Sequence, residues 1–224
     1  MTIMRAFQVL CVAMVLCAGR ASGQTTPNAP VATNSPPLAI EEGAKQWSFS
    51  ASAYTYLVPD SHDYVQPTIT ADRNWLHLEA RYNYEALDTG SAWVGYNFSG
   101  GKKLAWAVTP MLGGVFGDTA GIAPGYTGSL GWWKLELYSE GEYVCSTRDS
   151  SGNFFYNWSE LTIAPVGWLK LGMVTQRTQA YQTHRDIQRG FLVGLSYKQV
   201  SLTTYVFNPD DSKPTVVLAV GVTF

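Results

Sequence analysis

From residue 46 to the C-terminus, apolar and polar side chains alternate with a period of two, the spacing of β-strands that have one oily face. Trp47, Phe49, Ala51, Ala53, Thr55 and Leu57 alternate with Ser48, Ser50, Ser52, Tyr54 and Tyr56, and Pro59 to Asp63 breaks the run. Val65, Pro67, Ile69 and Ala71 then alternate with Tyr64, Gln66, Thr68 and Thr70. After the short turn Asp72-Arg73-Asn74, Leu76, Leu78, Ala80, Tyr82 and Tyr84 oppose His77, Glu79, Arg81 and Asn83. The pattern continues through roughly 91–98, 103–112, 125–132, 134–145, 154–164, 168–178, 189–197, 200–208 and 214–224, giving about twelve strands.

The connections fall into two alternating sets. Asp72-Arg73-Asn74, Ser99-Gly100-Gly101-Lys102, the turn at Trp133, Pro165-Val166-Gly167 and Lys198-Gln199 are short. Residues 59–63, 85–90, 113–124, 146–153, 179–188 and 209–213 form longer, more polar connections. The later short turns recur about every 33 residues, or roughly 16 per strand with its connection, which leaves room for the 9–11 residues a tilted strand needs to cross an apolar bilayer core. Aromatics gather at both ends of the strands. Trp47, Trp75, Tyr96, Phe98, Trp132, Trp133, Trp168, Tyr197 and Phe224 lie near the short turns, and Tyr54, Tyr56, Tyr82, Tyr84, Tyr126, Tyr143, Phe154, Phe155 and Phe207 near the long loops. Two such belts are expected where a barrel meets the two membrane–water interfaces.

The last strand, Pro214 to Phe224, puts Val216, Leu218, Val220, Val222 and Phe224 on one face and Thr215, Val217, Ala219, Gly221 and Thr223 on the other. So oily a strand needs a partner along both edges and an apolar medium against its outer face. With these hairpins and the terminal aromatic, residues 46–224 resemble a Gram-negative outer-membrane β-barrel protein. The resemblance implies that Leu218, Val220, Val222 and Phe224 form the C-terminal signal read by the barrel assembly machinery. Ala219 and Val217 depart from the Gly and polar residue often found there. The expected fold is all-β, a closed antiparallel up-and-down transmembrane β-barrel of about twelve strands, with ten to fourteen compatible. Its surroundings would be outer-membrane lipid and lipopolysaccharide, with the short turns periplasmic and the long loops extracellular.

Met1 to Gly23 reads as a secretory signal, with Arg5, an apolar stretch from Ala6 to Ala18, and Ala21-Ser22-Gly23 as the cleavage site. The stretch is shorter than the roughly 20 residues of a membrane-spanning helix. Residues 24–45, with Pro27, Pro30, Pro36 and Pro37, read as a flexible periplasmic leader. These assignments place the mature protein in the bacterial outer membrane.

Composition narrows the function classes. The net charge of −2 and only 14% charged residues exclude a basic face for nucleic acid. Removal of the signal takes Cys11 and Cys17 and leaves Cys145 alone, so no intramolecular disulfide or multi-cysteine metal site can form. No motif calls for a cofactor or metal.

The alternation points His77, Glu79, Arg81, Lys103, Lys134, Glu136, Glu140, Glu142, Glu160 and Lys170 into the lumen, a set near charge balance. Two readings follow. The charges either pair across the wall as a plugged structural barrel, or line a narrow pore for small polar solutes. A third reading, an outer-membrane hydrolase of lipase or protease type, would use Asp60, His62, Asp63, His184 and Asp186 at the extracellular rim, but their spacing matches no catalytic motif. A soluble secreted sandwich would leave the joint aromatic placement unexplained.

Overall fold

The protein, described by a computed structural model over residues 46–148, 152–180 and 186–224, is built almost wholly of strands. The secretory signal and the leader lie outside the described residues. Thirteen strand segments follow one another: β1 (Ser48–Leu57), β2 (Tyr64–Arg73), β3 (Leu76–Tyr82), β4 (Thr89–Tyr96), β5 (Phe98–Gly100), β6 (Leu104–Gly117) and β7 (Gly121–Trp132), then β8 (Leu135–Ser146), β9 (Phe154–Val166), β10 (Leu169–Ala180), β11 (Asp186–Tyr197), β12 (Val200–Phe207) and β13 (Thr215–Thr223). Each pairs antiparallel with its neighbours in one sheet, and the β4–β6 pairing closes it into a barrel.

Segments β4 and β5 are one crossing. Gly95 pairs with Met111 and Phe98 with Val108, so the register continues across the gap. The gap faces Pro110, which has no N–H to give the ladder. The barrel therefore has twelve crossings, as the alternation predicts.

The first and last strands meet along their whole length, from Ser50 opposite Thr223 to Leu57 opposite Val216. Beyond that ladder, Phe49 and Phe224 exchange two backbone hydrogen bonds of 2.9 Å each. This pairing removes the edges that make an oily strand aggregate.

Side chains sort by face. Val65, Ile69, Leu112, Phe116, Leu161, Met173, Phe191 and Leu218 stand exposed on the outer wall, while Val217, Ala219, Tyr205 and Phe207 are buried inside. An outer wall this apolar suits lipid and not water. Trp47, Trp75, Tyr96, Phe98, Trp132, Trp133, Trp168, Tyr197 and Phe224 are all exposed in a belt at the short-turn end. Short turns there are tight enough to hold Asn74, Trp133 and Lys198 at φ of 54°, 55° and 54°.

Two expectations are corrected. Residues 113–124 are not a long loop, because β6 runs to Gly117 and β7 starts at Gly121. Glycine is needed there for packing: a Cβ on Gly113 would lie 2.4 Å from the Trp93 ring, and Gly117 turns the chain at φ 119°. The second correction concerns the aromatics at the long-loop end. Tyr82, Tyr126 and Tyr143 face outward, but Tyr56 and Phe207 are buried in the lumen and Tyr54, Tyr84 and Phe154 pack against the same cluster. Period-two spacing cannot tell an aromatic that anchors in lipid from one that fills a barrel. For Tyr84 the reason is local: β3 ends at Tyr82, and Asn83 takes φ 56° before Tyr84 turns inward.

Candidate functional site: a charged seam through a packed lumen

Most of the lumen is filled by the protein's own side chains. Tyr56, Tyr138, Tyr156, Trp158, Tyr205 and Phe207 form one buried cluster, and Trp93, Met111, Val115, Ala123 and Val144 form another. Several rings meet edge to face, as in Trp158 against Tyr205 at 5.1 Å and Tyr84 against Tyr156 at 5.3 Å between centroids, while Tyr205 and Phe207 stack.

A seam of ionisable groups crosses this packing. It begins near the short turns, where His77 lies between Asp72 (Nδ1 to Oδ1, 2.8 Å) and Glu79 (Nε2 to Oε2, 3.1 Å). Asn97, opposite Thr109 on the β4–β5 crossing, donates to Asp72 at 2.7 Å and accepts from Thr109 at 2.6 Å. Next comes Arg81, which donates from Nε to Glu79 at 2.7 Å and from Nη1 to Glu142 at 2.8 Å. Its guanidinium lies between two aromatic faces, 4.3 Å from the Tyr84 centroid and 4.6 Å from that of Trp93. Trp93 is held in turn by its indole N–H donating to Ser91 at 2.9 Å. Planar, delocalised and weakly hydrated, a guanidinium suits such a slot better than an ammonium would.

Above Arg81, Glu140 accepts hydrogen bonds from the Tyr84 hydroxyl and, at 2.6 Å, from the Tyr138 hydroxyl. A second group lies beside the seam. Glu160 accepts from Trp158 at 3.0 Å, Tyr205 at 2.8 Å and Lys170 at 3.3 Å. Three donors around one carboxylate offset much of its desolvation.

Of the ten residues that alternation points inward, His77, Glu79, Arg81, Glu140, Glu142, Glu160 and Lys170 meet in these two groups. Glu136 shares their face of β8, opposite the buried Thr162. Lys103 and Lys134 instead sit exposed at the short turns, and Lys134 donates to the Pro165 carbonyl at 2.6 Å. Sequence reasoning missed Asp72 and Glu85. Asp72 opens the Asp72-Arg73-Asn74 turn in the sequence, but its place two residues after Thr70 puts it on the polar face of β2. Glu85 lies in the β3–β4 loop, with both carboxylate oxygens buried and without a hydrogen-bond partner. Nothing in a loop sequence shows that it folds inward.

At the rim, Asp60 pairs with Lys213 at 2.5 Å and Asp63 accepts from the Val58 amide at 3.2 Å. His184 lies outside the described residues. Among the described residues no group of His, Cys, Asp and Glu could hold a metal ion, and Cys145 is a free thiol on the outer wall.

The fold is that of a small outer-membrane β-barrel. A solved structure of the KdgM porin matches the chain with a TM-score of 0.56 at 10% identity, covering 78% of this chain and 99% of the porin. The KdgM porin in complex with disordered oligogalacturonate matches with a TM-score of 0.54 at 10% identity, covering 79% and 99%. No protein-family profile and no curated protein sequence matches the chain. At this identity the likeness carries the architecture: a closed twelve-crossing barrel of the outer-membrane kind.

Proposed function

We propose that the protein is an outer-membrane channel for small polar solutes, with the passage closed by its own side chains in the conformation described. The observation that supports this reading is the polar seam. Asp72, His77, Glu79, Arg81 and Glu142 follow one another from the short-turn end toward the long loops. Burying that many ionisable groups stabilises a wall no better than apolar packing would, so a purely structural barrel has little use for them. A passage for hydrated or polar solutes does. The fold shared with a porin is compatible with this reading.

A second reading, a plugged structural barrel of the envelope, is favoured by the burial of the inward rings. Tyr205, Trp158 and Trp93 are all under 5% exposed. The hydrolase reading has no support in the rim contacts, where Asp60 is tied to a lysine. Planar-bilayer recording separates the first two. Discrete single-channel steps are the expected result, and a folded, heat-modifiable barrel that never conducts would leave the structural reading. The proposal includes a periplasmic N-terminus after export and recognition of Leu218, Val220, Val222 and Phe224 by the assembly machinery, with lipopolysaccharide against the outer wall.

A further inference from the structure

With Lys103 and Lys134 at the turns and Asp72 and Glu85 drawn inward, the lumen is not near charge balance. Among the described residues, the carboxylates Asp72, Glu79, Glu85, Glu140, Glu142 and Glu160 face Arg81, Lys170 and the His77 imidazole. Even with His77 counted as a cation, these carboxylates outnumber the positive groups by three, six against three. Most of the excess lies above Arg81.

Its location can be narrowed. Arg81 is already committed: it donates to Glu79, Glu142 and the Met111 sulfur, and the Tyr84 and Trp93 rings lie against it. Lys170 is committed to Glu160. Glu142 is bonded to Arg81 through Oε2 only. Its Oε1 is buried without a partner, in a side chain 2% exposed. Glu79, Glu85 and Glu140 all lie near enough to repel its charge. Glu85 adds two more buried, unpartnered oxygens. An unpaired buried carboxylate is strongly destabilising, and several together more so. Such a site is stabilised by a positive charge from solution.

We propose that the lumen above Arg81 holds a small monovalent cation between Glu142 Oε1 and the Glu85 carboxylate, and that the barrel selects cations. The selectivity part rests on the channel reading above; the binding part does not. A monovalent ion fits better than a divalent metal, because no cluster of three or more ligating side chains is built among the described residues. A passage needs a site that binds and releases readily, which two carboxylates provide. The same acidity sets this lumen apart from one suited to a polyuronate such as the ligand named for the KdgM porin complex.

Two measurements test it. Crystals of the detergent-solubilised barrel grown in RbCl should show an anomalous peak beside Glu142 Oε1, absent in the Glu142→Gln variant. No peak in the wild type, as would follow if protons neutralise the carboxylates, overturns the proposal. In a KCl gradient the reversal potential should report K⁺ preferred over Cl⁻. The isosteric Glu85→Gln variant, which removes the charge and keeps the side chain's shape, should lower that preference by about threefold or more. An unchanged or anion-favouring ratio overturns cation selection while leaving the channel standing. A barrel that never conducts overturns the channel reading, and the rubidium peak still decides whether the site exists.

Discussion

Arg81 on β3 and Glu142 on β8, 61 residues apart in the chain, meet across the lumen at 2.8 Å, with the guanidinium held between the rings of Tyr84 and Trp93. The contact ties together, in the barrel's interior, two strands that do not neighbour each other in the sheet.

Replacing Arg81 by Ala leaves Glu79 and Glu142 buried without their main partner, and the expected loss is about 3–5 kcal/mol. Arg81→Lys keeps a positive charge but cannot bond both carboxylates as a planar fork or stack between two rings, so its loss should be intermediate. Urea titration of the folded barrel in detergent micelles measures both. Equal stability of wild type and Arg81→Ala would remove Arg81 as the central tie.

Adjacent glycines should respond differently. Gly113→Ala puts a Cβ 2.4 Å from the buried Trp93 ring and should cost about 1–3 kcal/mol through overpacking. Gly114→Ala meets nothing within 4 Å and should stay within about 0.5 kcal/mol of wild type. The same titration compares them, and a larger loss at Gly114 would contradict the facing of β6.

Tyr205→Phe removes one of three donors to Glu160 and leaves the other two. A hydrogen bond to a charged group contributes about 1.5–3 kcal/mol, so a loss in that range is expected. The double variant with Trp158→Phe should lose more than the two single losses added, since Glu160 then keeps Lys170 alone.

Brominated acyl chains should quench most tryptophan emission from the reconstituted barrel. Trp47, Trp75, Trp106, Trp132, Trp133 and Trp168 are exposed, whereas Trp93 and Trp158 are buried. The residual emission should disappear when Trp93 and Trp158 are replaced by Phe. Quenching that spares the six exposed rings would place the outer wall in water.

Phe224 is more than half exposed, yet its backbone is paired twice with Phe49. Phe224→Ala keeps those bonds and removes only a ring at the rim, so refolding in detergent should be nearly unchanged. Insertion in cells should fall sharply if the ring is read during assembly. Normal insertion of Phe224→Ala would remove the signal role assigned to this strand.

What the sequence determined by itself is the wall. Whether Val217 or Leu218 faces lipid is set by a period of two, and the alternate short turns and long loops set the order of strands and the count of twelve crossings. The belt from Trp47 to Phe224 was legible for the same reason, since every ring in it stands on an outward position or a turn. Only the tertiary structure decided the interior. Strand periodicity gives each side chain a face but no height or partner, so it placed Lys103 and Lys134 in the lumen when turn geometry carries them out. It also left Glu85 in a loop that folds in. Tyr56, Tyr84 and Phe207 share the spacing of interface anchors, and closure of the sheet brings β1, β12 and the residues just after β3 around one space. The acidic excess around Arg81 arises at that step, because it is a sum over strands far apart in sequence whose ionisable groups share a lumen only once Phe49 and Phe224 have joined.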